Sequence, residues 1–137
     1  MDMKRKELID AIEQAAKETG YAFHTGAPER MQGSLRIYPA AWLMPIKLTK
    51  TKGRNEGSIR YRGELCLLQL ANDPDERETQ WSEMEKAAFQ IADILRKNNA
   101  VLSCEIIKCT PEESARTTHG AISLLTTFDA EILFCLN

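Results

Sequence analysis

Residues 121–136 read AISLLTTFDAEILFCL, and this stretch decides the fold. Ile122, Leu124, Phe128, Ala130, Ile132, Phe134 and Leu136 recur at every second position, and only Thr126 interrupts the apolar face. A period of two marks a strand with one face against a core. Immediately upstream, Val101 to Cys109 shows the same alternation, with Leu102, Cys104 and Ile106 on one face. The two runs are placed to pair antiparallel. Between them, Thr110-Pro111-Glu112-Glu113 reads as a short helix start, with Thr110 as N-cap, Pro111 in the first position and Glu113 closing a capping box. Cys104 and Cys109 are five residues apart, so a regular strand would turn them to opposite faces.

Further towards the N-terminus the period changes. Gln80 to Lys97 places Met84, Ala87, Ala88, Ile91, Ile94 and Leu95 on one stripe of a helix that Asn98-Asn99 ends. Phe89 falls on its polar side. Asn72 to Thr79 is a turn region around Asn72-Asp73-Pro74-Asp75. Ile59 to Ala71 is a long strand. Its apolar phase shifts from Tyr61, Leu65 and Leu67 to Cys66, Leu68 and Leu70, which predicts a bulge or burial on both faces. Thr49 to Ser58, with Gly53, Asn55 and Gly57, reads as a polar hairpin loop. Leu35 to Tyr38 and Ala41 to Leu48 read as extended segments separated by Pro39. Pro45 puts the second at a sheet edge or on a bulge. Tyr21 to Thr25 is a short strand. Lys4 to Thr19 is an amphipathic helix whose stripe is Leu8, Ile9, Ile12, Ala15 and Ala16, with Gly20 as the stop.

The resulting order is α-β-β-β-α-β-β. Runs of strands, rather than strict βαβ alternation, predict an α+β fold with a mostly antiparallel sheet and both amphipathic helices on one face. Residues 1–137 are expected to form one domain, since 137 residues is about one domain's length.

The apolar fraction of 43%, the charged fraction of 28% and the net charge of −2 are ordinary for a globular protein. No stretch approaches the ~20 apolar residues of a membrane span. The charged N-terminus lacks a following apolar run, so neither a signal peptide nor a membrane location is expected, and the compartment is read as cytoplasmic. Cys66, Cys104, Cys109 and Cys135 lie in or at the ends of strand-like runs. They read as small buried hydrophobes of a reducing compartment.

Catalytic and ligand signatures are sparse. A catalytic use of His24 or His119 needs a partner and an orienting third group, and the spacing supplies none. The cysteines form no C-x-x-C and no zinc knuckle. Cys109, between Lys108 and the Thr110 cap, is the one mild candidate for a reactive thiol. Asp73, Asp75, Glu76, Glu78, Glu83 and Glu85 lack the rest of a calcium loop. They sit before and in the opening of a helix, where the dipole favours negative charge. No phosphate-binding glycine loop or nucleophile elbow occurs. The expectation is therefore no enzyme, no cofactor and no metal.

Charge layout is the most informative feature. Lys47, Lys50, Lys52, Arg54, Arg60 and Arg62 stand against Glu56 alone, a local net of +5. Residues 72–85 hold the six carboxylates against Arg77 alone, a local net of −5. Solvated loops account for such runs in many proteins. Two functional readings stand beside that one. The basic hairpin can grip nucleic-acid phosphates, or it can meet the acidic segment of another copy, with Phe89 as a possible anchor.

The order of elements, together with Tyr38-Pro39-Ala40-Ala41-Trp42-Leu43-Met44-Pro45 and the polar hairpin after it, resembles the tail-terminator (tail-completion, head–tail joining) proteins of long-tailed bacteriophages and prophage elements. The resemblance spans most of the chain and rests on topology and this segment. It implies a non-enzymatic homo-oligomeric ring, a virion component that caps the tail tube and joins the capsid connector. Thr49 to Ser58 would then be an inter-subunit or lumen-facing element. The resemblance implies contact with tail-tube and connector proteins, and offers no catalytic residues. The alternatives are a nucleic-acid-binding module on the basic hairpin and a small enzyme around His24, His119 or Asp73 and Asp75.

Overall fold

The computed structural model describes residues 4–31, 35, 37–113 and 120–135. In chain order the main elements are α1 (Lys4–Glu18), β1 (Ala22–Thr25), β2 (Ala40–Leu43), β3 (Lys47–Gly53), β4 (Glu56–Leu70), α2 (Arg77–Arg96), β5 (Val101–Glu112) and β6 (Ala121–Cys135). The organising pair is β4 and β6. They lie antiparallel in unbroken register from Glu56↔Cys135 to Leu70↔Ala121. The alternation that defines β6 fixes this register, because a one-residue slip would turn its whole apolar set to the opposite face.

The sheet runs β1-β2-β4-β6-β5, with β3 pairing β4 on the same side as β2. Among the described residues only β1 and β2 are parallel. The mixed composition and mostly antiparallel sheet are as expected. The extra strand is β3, in the polar stretch read as loop. Its seven residues are all exposed, so hydropathy carried no trace of it. The segment read as one strand over 41–48 is two strands. Pro45 has no N–H to continue the ladder, and the break falls at Met44-Pro45-Ile46. The strand expected over Leu35 to Tyr38 is not found at its described residues: Leu35 has no regular structure, residues 37–39 are bends, and the Pro39 carbonyl instead accepts the Ala22 N–H.

Both helices cover one face. Leu8, Ile12, Ala15 and Ala16 of α1, with Met84, Ala88, Ile91 and Leu95 of α2, form one core with Leu65, Leu67, Leu124 and Ile132. Gly20 closes α1 at φ +90, with Tyr21 N–H on the Ala16 carbonyl and Gly20 N–H on that of Lys17. That is the bonding pattern of a left-handed helix stop. On the opposite face, Met31, Leu35, Trp42, Met44, Cys66 and Leu68 make a second core. Leu65 to Leu68 are therefore buried on alternate faces. Since β4 is in even register with β6, its phase shift reflects two-sided burial and no bulge on that side.

The helix α2 starts at Arg77, three residues before the expected Gln80, because the Pro74–Glu76 turn runs straight into it. Gln80 is buried. It donates to the Leu70 carbonyl and accepts from the Asn72 N–H. The helix start expected at Thr110 is absent. Strand β5 continues through Thr110, Pro111 and Glu112, which pair with Leu125, Leu124 and Ser123. It is an edge strand, where proline is tolerated. Two bulges interrupt β5, at Leu102 and Ile107. The second resets the alternation, so Cys104 and Cys109 share the helix-side face instead of pointing apart.

Candidate assembly surface

Strands β3 and β4 form a hairpin whose backbone crowds together at Gly53 and Gly57. A Cβ at Gly57 would lie 1.9 Å from the Lys52 carbonyl oxygen, and Gly53 sits at φ +91. Side chains alternate from there. Lys47, Lys50 and Lys52 are paired in register with Arg62, Arg60 and Ser58, so all six share the face turned away from the helices. All three lysines are exposed, and Arg54 lies at the exposed turn.

Two of the six expected cations are held within the chain. Arg62 grips Asp129 with both arms of its guanidinium, Nε to Oδ1 at 2.8 Å and a terminal nitrogen to Oδ2 at 3.0 Å. Arg60 reaches Glu131 Oε1 at 3.2 Å, and the Ser58 hydroxyl donates to the other oxygen of Glu131. The hydrogen bond from Arg62 holds the Asp129 carboxyl below the usual range. For Glu131 the Ser58 hydroxyl is the larger cause and Arg60 a smaller one. Asp129 and Glu131 are part of the surface and were missed in the sequence. Their spacing of two on β6 matches that of Arg60 and Arg62 on β4, which is the signal that could have found them.

The acidic group lies elsewhere. Asp73, Asp75 and Glu76 occupy the turn after β4, and Glu78 the first turn of α2. Arg77 donates to the Asn72 and Asp73 carbonyls and lies 3.3 Å from Glu113. The hairpin tip and this turn are at the two ends of the 15-residue β4, roughly 45 Å apart at about 3.3 Å per residue. The two charged segments do not meet within one chain. Phe89 is 58% exposed.

The enzyme candidates fare differently. His24 stacks on Trp42, with ring centroids 5.7 Å apart, while His119 lies outside the described residues. Burial pushes the Cys104 thiol up to about 11 and raises that of Cys109 as well, which favours the unreactive protonated form. Cys135, expected to be buried, is exposed at the end of β6. A small cavity of about 20 Å³ between the helices and the sheet is lined mainly by apolar side chains. Among the described residues no group of three or more His, Cys, Asp or Glu is placed to hold a metal. No helix among them is long and apolar enough to cross a membrane.

No family model matches the chain, and no curated protein matches it. Among solved structures, it is similar in fold to a chain described as "Virion of native gene transfer agent (GTA) particle". The TM-score is 0.60 at 11% identity, and the match covers 93% of this chain and 95% of that one.

Proposed function

We propose that this chain is a non-enzymatic structural subunit of a phage-like particle, a tail-terminator-like ring protein that self-associates through its basic hairpin and acidic helix start. One observation carries the self-association. Lys47, Lys50 and Lys52 line an exposed strand at one end of β4 and the acidic turn lies at the other, so any direct pairing of the opposed charges joins two molecules. The likeness in fold to a virion chain, nearly end to end, supports the particle setting. In that setting the other faces of the ring would contact tail-tube and connector proteins.

Light scattering coupled to size exclusion tests the reading. In low salt the chain should run as a discrete species several times its 15.5 kDa mass. High salt should weaken that species, because screening removes attraction between exposed charges. A strict monomer at every concentration would overturn the proposal. The single-face lysine row also suits a phosphate backbone. That second reading predicts duplex or single-strand binding that falls steeply with salt, and no binding at low salt ends it.

A further inference from the structure

On the hairpin half of the molecule the sheet reads β3-β4-β6-β5, and among the described residues nothing pairs with the outer side of β3 or β5. On the face away from the helices, Lys47, Arg62, Asp129 and Glu105 align in one row across these four strands. The two inner members bond to each other. Lys47 at one edge and Glu105 at the other are both exposed, and neither has an ion-pair partner among the described residues. Three strand spacings of about 4.8 Å, roughly 14 Å, keep them apart within one chain.

The same two edges collect exposed apolar side chains. Leu48 on β3 is 54% exposed, and Leu102 and Ile107, the extra residues at the two β5 bulges, are 54% and 45% exposed. Phe89 joins them. Ala88 and Ala92 of α2 face Ile106 across one small cavity and Arg96 donates to the Cys104 carbonyl, so the stretch of α2 carrying Phe89 runs beside the part of β5 carrying Ile107. Bulges hinder a continuous backbone ladder and re-aim the extra side chain. This edge is therefore shaped for side-chain contact and not for strand addition.

We infer that the β3 edge of one copy docks on the β5 edge and the adjoining α2 face of the next, with Lys47 meeting Glu105 and Leu48 meeting Ile107 and Phe89. The contact joins two different surfaces. Repetition therefore closes a ring or extends a filament and does not stop at a two-fold dimer. The acidic helix start belongs to the same side, since Arg77 reaches Glu113 just past the end of β5. The inference rests on the self-association proposed above and specifies its surfaces.

Sedimentation velocity on the full chain tests it. Phe89→Lys with Ile107→Lys spoils only the β5 side, and Leu48→Glu with Lys50→Glu spoils only the β3 side. Each double variant alone should associate at least tenfold more weakly than the parent. An equimolar mixture of the two should give dimers and nothing larger, because one sound edge remains in each. A mixture that stays monomeric, or variants that assemble like the parent, would overturn the docking while leaving self-association standing. A monomeric parent overturns both. Lys47→Glu and Glu105→Lys guard against misfolding: each alone should weaken assembly, and the two combined in one chain should restore it. Failure of that rescue in folded protein also overturns the docking.

Discussion

Arg62 and Asp129 show how much one pair of residues decides. Arg62 is a hairpin cation by sequence, yet its guanidinium is committed to a carboxylate on the neighbouring strand. Among the described residues Lys47, Lys50, Lys52 and Arg54 have no ion pair, and they carry the rest of the hairpin's positive charge. Asp129 has a lowered folded pKa, caused chiefly by the Arg62 hydrogen bond. The folded state therefore binds this proton less readily than the unfolded chain. The pair's contribution is fully present above the unfolded aspartate value of ~3.9 and is lost as pH falls through the lower folded value. Denaturant midpoints of the parent and Asp129→Asn should differ most near neutral pH, and the difference should shrink below about pH 4. An unchanged gap across that range would show that the ionised carboxylate contributes nothing. The expected gap is small, because the pair is solvent-screened.

Hairpin β3–β4 is the element that hydropathy hid. The run Lys47-Leu48-Thr49-Lys50-Thr51-Lys52-Gly53 buries no side chain, so its strand character comes from pairing with β4 and from the two glycines. Gly57→Ala would drive a Cβ into the Lys52 carbonyl. Hydrogen exchange should then show β3 amides losing protection by at least tenfold while β6 and α2 keep theirs, because β3 adds nothing to the core. Uniform deprotection would mean that the hairpin is integral to the fold. What could be read from the chain follows the same logic. Strand β6 and both helices were legible because a buried face imposes a period. Pro111 misled because a proline in a capping pattern and a proline in an edge strand look alike until the neighbouring strand is known. The face of Cys109 was unreadable because a bulge leaves no compositional mark. Of the proposed contact surface, the lysines and the acidic turn were visible as charge runs. Glu105, Asp129 and Glu131 were not, since their meaning lies in cross-strand register.

Strand β4 joins two cores, and this sets how the molecule should unfold. Leu67 belongs to the helix-side core and Leu68 to the opposite one, and both are fully buried. Truncating either to alanine should cost about 2–5 kcal/mol. The two tryptophans report on the two sides separately. Trp42 is buried in the second core, with its indole N–H on the Gly26 carbonyl. Trp81 packs against the first, with its N–H on the Ser123 carbonyl. If adjacent residues of one strand couple the cores, neither side can melt without breaking the β4–β6 ladder that the other needs. Fluorescence of Trp42→Phe and Trp81→Phe, each corrected for its own stability by circular dichroism, should then give midpoints that coincide with loss of secondary structure, as for a two-state domain. An earlier midpoint at Trp42 would identify the layer holding Met31 and Leu35 as a separately melting cover over the sheet. The ring contact inferred above should leave this coincidence intact, because it uses the opposite edges of the sheet and neither core.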